Sequence, residues 1–116
     1  MNNHLVICIG AALIDEIFCS KEIIREGTSN PSDYTRSIGG VARNIAALLA
    51  KLEHKVELIT HFGNDAEGHW LMDACRASGI GLTHAIQNDE PAGRFMALLH
   101  PNGELFTAAS YSNLVA

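Results

Sequence analysis

Aliphatic and polar positions at the start of the chain follow the pattern of short strands. The run at 4–9 is aliphatic, contains β-branched residues and ends at Gly10, which is typical of a strand buried on both faces of a parallel sheet. The next apolar stretch, Leu13 to Cys19, contains two carboxylates and predicts a bent or an edge strand. After a polar, turn-rich segment, the alternating residues from Tyr34 to Ile38 predict a short, half-exposed strand.

The pattern changes to helical spacing after the pair Gly39-Gly40. Apolar residues then recur three or four positions apart in a segment rich in alanine and leucine, which predicts a helix from Val41 to Leu52. The alternating segment Val56 to Thr60 predicts the next strand. The residues expected on the apolar side of the helix are Val41, Ile45, Leu48, Leu49 and Leu52.

A second helix is expected after a turn at 62–65. Asn64 and Glu67 have the spacing of a capping box, so Asn64 is the predicted N-cap, and the helix should end near Ser78, before the next glycine. Strand, helix, strand, helix in this order predicts an α/β fold with a parallel sheet. The predicted apolar side of this helix consists of Leu71, Met72, Ala74 and Cys75.

The last third of the chain has a different pattern. Apolar runs from Gly93 to His100 and from Glu104 to Ala108 flank an Asn-Gly pair, which predicts an antiparallel hairpin. A parallel sheet of two or three strands has too few layers to bury both of its faces. We therefore expect residues 1–116 to be the N-terminal fragment of one longer domain.

Composition narrows the classes of protein to which the chain can belong. Hydrophobic residues make up 47% and charged residues 18%, which indicates a small globular domain. The net charge is −5 and no basic cluster is present, so we expect no nucleic-acid partner. The longest apolar run, Leu5 to Ile14, is far shorter than the about 20 residues of a membrane-spanning helix, so no membrane partner is expected.

Cysteine and histidine usage indicates a reducing compartment and no metal site. Cys8, Cys19 and Cys75 form no CxxC pair and no Cys-His cluster, so we expect free thiols in a cytoplasmic protein. No basic residue precedes the first apolar run, unlike in a signal peptide. The histidines are scattered, and no metal ligand set is expected among them.

Four residues are candidates for binding a ligand. Gly39 and Gly40 stand where a strand passes into a helix, so a ligand can approach a backbone without Cβ atoms, close to unpaired helical N–H groups. Asn44, one turn into that helix, can both donate and accept hydrogen bonds. Asp15 follows the first strand, and ligands gather at the carboxyl ends of the strands in α/β sheets. Taken alone, a glycine pair before a helix more often marks an ordinary turn, and Asp15 can equally well cap a turn.

Two common nucleotide-binding motifs are missing from the sequence. A dinucleotide fingerprint needs GxGxxG after the first strand, whereas the segment at 10–13 has one glycine, and a Walker A loop needs a Gly-Lys pair that the chain does not contain. A dinucleotide-binding Rossmann domain is therefore the weakest of the hypotheses.

Three strings together resemble the ribokinase-like, or PfkB, family of carbohydrate kinases. The string at 7–15 resembles the family's opening strand with its aspartate, and the string at 39–50 resembles its glycine pair with an asparagine four residues on. The string at 62–68 is similar to the family's G-x-D-x-x-G turn. Within the family, the strings at 29–31 and 39–46 are most similar to those of the pseudouridine kinases.

The resemblance implies a fold and a reaction. The implied fold is ribokinase-like α/β, with a parallel sheet flanked by helices and a small antiparallel β lid formed by about 16–38 and 93–108. The implied reaction transfers the γ-phosphoryl group of ATP, with Mg²⁺, to a hydroxyl of a sugar or nucleoside. The resemblance assigns substrate binding to Asp15, Gly39, Gly40 and Asn44.

The resemblance also implies how the lid is used. Family members often form a homodimer through the lid, which would otherwise expose apolar surface. The apolar lid residues expected to be covered by sugar or by a second lid are Phe95, Ala97, Leu99, Leu105 and Ala108.

The chain departs from the family pattern at two points. Leu13 stands where many relatives carry an asparagine two residues before the aspartate, so one sugar contact is expected to be missing. The family's second signature, Asp-Thr-x-Gly-Ala-Gly-Asp, which supplies the anion hole and the catalytic base, is not found in the 116 residues. We therefore expect the chain alone to bind sugar but neither ATP nor Mg²⁺, and to be inactive by itself. The alternative is a stand-alone sugar-binding or lid-dimerising module without catalysis.

Overall fold

The computed structural model describes residues 4–112, which contain two helices and three sheets. The helices are α1 (Val41–Lys51) and α2 (Ala66–Ala77). No helix in this part of the chain is long and apolar enough to cross a membrane. The strands are β1 (Leu5–Ile9), β2 (Leu13–Ser20), β3 (Ser32–Gly39), β4 (Lys55–Ile59), β5 (His61–Gly63), β6 (Ile86–Asn88), β7 (Arg94–Leu99) and β8 (Leu105–Tyr111).

The first sheet pairs β1 with β4 in parallel and is covered by both helices. Val56 and Leu58 of β4 share one buried core with Ala46 of α1 and Leu71 of α2, so the helices pack on the same face of this sheet. The parallel pair with its helices confirms the predicted α/β class. The other face of β1 is open, with exposed fractions of 47%, 53% and 76% at Leu5, Ile7 and Ile9.

The second sheet has four strands in the order β3-β2-β7-β8 and is mixed. β2 is antiparallel to β3 and parallel to β7, and the predicted antiparallel hairpin of β7 and β8 is confirmed. The prediction that β2 lies at an edge was wrong, because β2 has a partner strand on each side. The carboxylates of Asp15 and Glu16 point to opposite faces of the sheet, because successive side chains of a strand alternate. Charged residues in this strand therefore do not indicate an unpaired edge.

The apolar side of α1 differs from the predicted one. The helix packs against the first sheet through Ala46, which is fully buried, with Ala42, Leu49 and Ala50 beside it. Alanine side chains let a helix lie close to a sheet, and the larger side chains then project outward. Of the predicted stripe, Val41, Ile45, Leu48 and Leu52 are 75%, 49%, 58% and 61% exposed.

The start of α2 also differs from the prediction. Asp65, not Asn64, is the N-cap, and its carboxylate accepts a hydrogen bond from the N–H of Gly68 at 2.8 Å. A carboxylate is favoured here because it is attracted to the positive end of the helix dipole. The short parallel pair of β5 and β6 was not predicted, since three residues are too few to show a period.

The four-stranded sheet makes the molecule elongated. The radius of gyration is 16.4 Å, whereas a compact domain of this length has about 13 Å. The extents of the molecule are 54 × 31 × 22 Å. Every residue of β8 is exposed, so the outer edge of the sheet is open.

Candidate functional site

A cavity of about 650 Å³ lies where the β1–β4 sheet and the four-stranded sheet meet the start of α1. Its volume is within the range of about 300–1,000 Å³ that small-molecule sites occupy. The end of β1, the first half of β2, the first turn of α1 and one residue of β7 contribute to its wall. The lining residues are Cys8, Ile9, Gly10, Ala11, Leu13, Asp15, Gly40, Val41, Ala42, Asn44, Ile45 and Phe95.

The structure brings the four predicted ligand-binding residues together. Asp15, Gly40 and Asn44 line the cavity. Gly39 is buried directly beside Asp15, since a Cβ on Gly39 would lie 2.3 Å from Asp15 Oδ2. Residues that are far apart in sequence therefore meet at one place, because β2 and β3 pair in register with Leu13 opposite Gly39.

Asp15 is the group in the cavity best able to bind hydroxyls. Its carboxylate is half-buried and has no hydrogen-bond partner among residues 4–112. The neighbouring Glu16 accepts a hydrogen bond from Arg94 on the opposite face, so of these two carboxylates only Asp15 faces the cavity. A partly buried carboxylate without a protein partner favours a ligand with hydroxyl donors.

Asn44 faces the same cavity from α1. Its Oδ1 accepts a hydrogen bond from Arg43 Nη1 at 3.1 Å, which leaves the side-chain amide free to donate. No side chain caps the start of α1, and its first turn contains no acidic residue. No acidic side chain of α1 itself therefore offsets the positive end of its helix dipole at this wall of the cavity.

The glycine pair shapes the wall through two close approaches. Gly39 leaves space for the Asp15 carboxylate, which a Cβ at this position would displace. Gly40 has φ +97°, and a Cβ there would lie 2.3 Å from the backbone oxygen of Ala11. The pair thus fixes Asp15 and the start of α1 close to the end of β1, and only Gly40 needs a left-handed backbone.

Two residues that line the cavity were predicted from the sequence to face the protein core. Val41 and Ile45 were placed in the core stripe of α1, although they belong to the apolar side of the cavity. Their spacing indicated an apolar helix face but could not show what that face contacts. No group of three or more His, Cys, Asp and Glu side chains within residues 4–112 is placed to hold a metal ion.

Asp65 connects the start of α2 with the segment before β7. In addition to Gly68, the N–H of Ala92 donates to its carboxylate at 3.1 Å. Burial raises the pKa of the Asp65 carboxyl, but the hydrogen bonds from these two N–H groups outweigh burial, and the pKa lies below its usual value. This carboxylate is thus structural and not part of the cavity.

Replacing Asp65 by Ala should destabilise the protein in a pH-dependent manner. We expect a loss of about 2 kcal/mol at pH 7, because the cap contributes about 1 kcal/mol and the N–H of Ala92 also loses its acceptor. Since the folded-state pKa is below the unfolded one, the contribution is complete above about pH 4 and is lost as the pH falls through the folded-state pKa. Urea unfolding of both proteins from pH 7 to pH 2.5 measures this difference. A deficit that does not shrink at low pH would contradict the assignment.

The chain is similar to carbohydrate and nucleoside kinases in sequence. Residues 3–113 match the family model described as pfkB family carbohydrate kinase. The chain is 34% identical to the pseudouridine kinase of Escherichia coli K12 over 110 residues, which cover 94% of the chain and 35% of that relative. It is 30% identical to the guanosine-inosine kinase of Exiguobacterium acetylicum over 103 residues, which cover 88% of the chain and 34% of that relative. The chain thus spans about a third of the length of these relatives.

Solved structures of kinases have the same fold. A carbohydrate kinase from Agrobacterium tumefaciens superimposes with a TM-score of 0.84 at 27% identity, covering 92% of the chain and 35% of that structure. A ribokinase from Cryptococcus neoformans in complex with ADP gives a TM-score of 0.80 at 26% identity, covering 94% of the chain and 34% of that structure. The ribokinase-like fold expected from the sequence is confirmed, and the chain belongs to the pfkB family of carbohydrate kinases.

Proposed function

We propose that this chain is the substrate-binding part of an ATP-dependent kinase that phosphorylates a hydroxyl of a sugar or nucleoside. The observation that carries the proposal is the Asp15 carboxylate, which has no hydrogen-bond partner in the described part of the chain and is placed with Asn44 in a cavity of suitable size. The membership of the pfkB family supports the reaction class. The proposal covers the whole kinase, of which the chain is expected to be the N-terminal fragment.

In this proposal the residues of the cavity hold and orient the substrate. Asp15 accepts hydrogen bonds from two ribose hydroxyls, and the Asn44 amide donates to a third oxygen. Gly39 keeps the carboxylate in place by leaving it the space that a side chain would fill. These contacts fix one hydroxyl in a constant direction, and such positioning is a large part of what an enzyme contributes to phosphoryl transfer.

The phosphoryl group would be supplied by ATP with Mg²⁺. Residues 4–112 contain no three-ligand cluster for a metal ion, so we assign no metal to these side chains. We propose that the ATP site, the metal and the base belong to the part of the kinase that corresponds to the remaining two thirds of the relatives. The chain alone should then form no ADP from ATP and pseudouridine. Turnover that is lost in an Asp15→Asn variant would show that these groups lie within the chain.

Phe95 favours a nucleoside as the substrate. It lies directly opposite Asp15 on the adjacent strand β7, and neighbouring strands are about 4.8 Å apart. Together with Leu13 and Ile45 it gives the cavity an apolar side next to the carboxylate. A nucleoside has hydroxyls for Asp15 and a flat base for the aromatic ring, whereas a free sugar leaves the ring uncovered. Two relatives, a pseudouridine kinase and a guanosine-inosine kinase, support this class by their names.

Replacing Phe95 by Ala should separate nucleosides from free sugars. We expect the Kd for pseudouridine to rise about tenfold, because stacking of a base on an aromatic ring contributes about 1–3 kcal/mol. The Kd for ribose should change less than about twofold by the same reasoning, since ribose offers no base. Leu48→Ala is the control, because Leu48 is an exposed apolar residue of α1 outside the cavity. Calorimetric titration measures the Kd of each of the two variants, and of the wild-type chain, for pseudouridine and for ribose. If Phe95→Ala loses the same affinity for both ligands, Phe95 does not determine specificity.

We propose that the four-stranded sheet is the lid over this site, and that two chains dimerise through it in the cytoplasm. The motivation is the open edge of β8, where all residues are exposed, including Leu105 at 59% and Phe106 at 42%. An unpaired strand with apolar side chains favours pairing with a second copy. The free cysteines are compatible with a reducing compartment. Sedimentation should give a dimer that Phe106→Lys weakens, and a monomer at all concentrations would refute the dimer while leaving the binding site untouched.

A further inference from the structure

Two side chains of α2 contact the face of the four-stranded sheet that is turned away from the cavity. Glu67 forms an ion pair with Arg94 of β7, and Trp70 lies under Arg36 of β3, with 4.0 Å between the guanidinium carbon and the ring centroid. Glu67 and Trp70 are three positions apart, so they lie on the same side of α2. We call this pair of residues the α2 ledge.

The contacts at the α2 ledge continue into the sheet. Arg94 Nη1 also donates to Glu16 Oε1 of β2 at 2.9 Å, and the hydroxyl of Tyr34 donates to Glu16 Oε2 at 2.8 Å. The side chains of Arg94 and Glu16 are 30% and 13% exposed. Hydrogen bonding to Glu67 and the charges of both carboxylates raise the pKa of Arg94, although burial acts in the opposite direction, so the guanidinium stays charged. The strands β2, β3 and β7 are thereby held to one helix.

The same strands carry the cavity residues on their other face. Arg94 precedes Phe95, and Glu16 follows Asp15, and successive side chains of a strand point to opposite faces. A movement of the sheet relative to α2 would therefore move Phe95 and Asp15 relative to Asn44 and the start of α1. Arg94 and Glu16, which connect the α2 ledge to the sheet, are each one residue away from a cavity residue along their strand, but they do not line the cavity.

We propose that the α2 ledge sets the angle of the four-stranded sheet, and that Glu67 and Trp70 are positioning residues for ligand binding at Asp15. This inference rests on the proposed function, because it needs a ligand whose binding can be measured. Partly exposed ion pairs and cation–π contacts contribute little to overall stability. Their removal should thus affect the geometry of the cavity more than it affects folding.

The test compares ligand affinity with thermal stability in matched variants of the full chain. Glu67→Gln removes the charge that pairs with Arg94, and Arg36→Gln removes the cation over Trp70. Asp73→Asn is the control, because Asp73 lies on the same helix in an exposed pair with Arg76 away from the sheet. Pseudouridine is the probe in calorimetric titration, and each variant's melting temperature is measured alongside.

The expected result is a Kd about three- to fivefold higher in Glu67→Gln and in Arg36→Gln, with melting temperatures close to that of Asp73→Asn. If both Glu67→Gln and Arg36→Gln bind pseudouridine as tightly as Asp73→Asn, the inference is wrong. If affinity and melting temperature fall together in both, the ledge is structural and the inference is also wrong. A wild-type chain that binds neither pseudouridine nor ribose would instead refute the proposed function, so the two failures are distinguishable.

Discussion

Replacing Asp15 by Asn is expected to raise the Kd for pseudouridine about 100-fold. Hydrogen bonds from ligand hydroxyls to a carboxylate contribute about 1.5–3 kcal/mol each. Asparagine has only one acceptor oxygen, since an NH₂ donor replaces the second oxygen of the aspartate. The effect should be equally large for ribose, because the proposed contacts are to the hydroxyls and not to the base. This equality distinguishes Asp15 from Phe95, whose replacement should affect only the nucleoside.

The experiment on Asp15 needs a control for the loss of a negative charge. Asp73→Asn removes the same charge from an exposed position on α2 and should leave the Kd unchanged. Asp15 has no hydrogen-bond partner within residues 4–112, so Asp15→Asn should also unfold at the same urea concentration as the wild-type chain. A Kd within twofold of the wild-type value, in a folded variant, would mean that Asp15 does not bind the ligand.

Replacing Gly40 by Ala is expected to have the largest effect on stability. At φ +97° and ψ 128° an alanine is strained, and its Cβ would lie 2.3 Å from the backbone oxygen of Ala11. The strain alone costs about 1–3 kcal/mol, and the backbone of β1 and α1 must also separate, so we expect a loss of at least about 3 kcal/mol. This is a large part of the about 5–15 kcal/mol that stabilises a native domain.

Gly103 provides a matched control for the backbone strain. It has φ +91° in the turn of the β7–β8 hairpin, but a Cβ there would have no atom within 4 Å. Gly103→Ala should therefore cost only the strain, about 1–2 kcal/mol. Urea unfolding of the two variants measures the difference, which is the cost of the close approach to Ala11. Equal losses would show that the contact between Gly40 and Ala11 is not tight.

The sequence predicted the elements whose signals are local. The aliphatic run of β1, the glycine break before α1 and the Asn-Gly turn of the hairpin each lie within a few residues, and all three are found near their expected positions. A rule about the ends of strands in α/β sheets predicted that Asp15 and the Gly39-Gly40 turn face one crevice. Asp15 and Gly40 do line one cavity, although Asp15 lies within β2 and not at the end of β1. These predictions needed no knowledge of long-range contacts.

The sequence could not predict features that depend on pairing between distant segments. The interior position of β2 requires β7, which is parallel to it and pairs Arg94 with Ile14 from a distant part of the sequence. The exposure of Val41 and Ile45 depends on which face of α1 packs against the sheet. That face is formed mainly by alanines, because their small side chains let the helix lie closer to the sheet. The partners of Glu67 and Trp70 were also hidden, because Arg94 and Arg36 come from strands on either side of β2.

The central claim is that Asp15, Gly39, Gly40 and Asn44 form a binding site for a hydroxyl-rich ligand. The most direct measurement is a titration of the isotopically labelled chain with pseudouridine, followed by the amide resonances of all residues. We predict saturable shifts concentrated at 13–15, 39–45 and 93–96, and no such shifts in Asp15→Asn. Shifts that are absent, or that cluster away from these three segments, would contradict the claim.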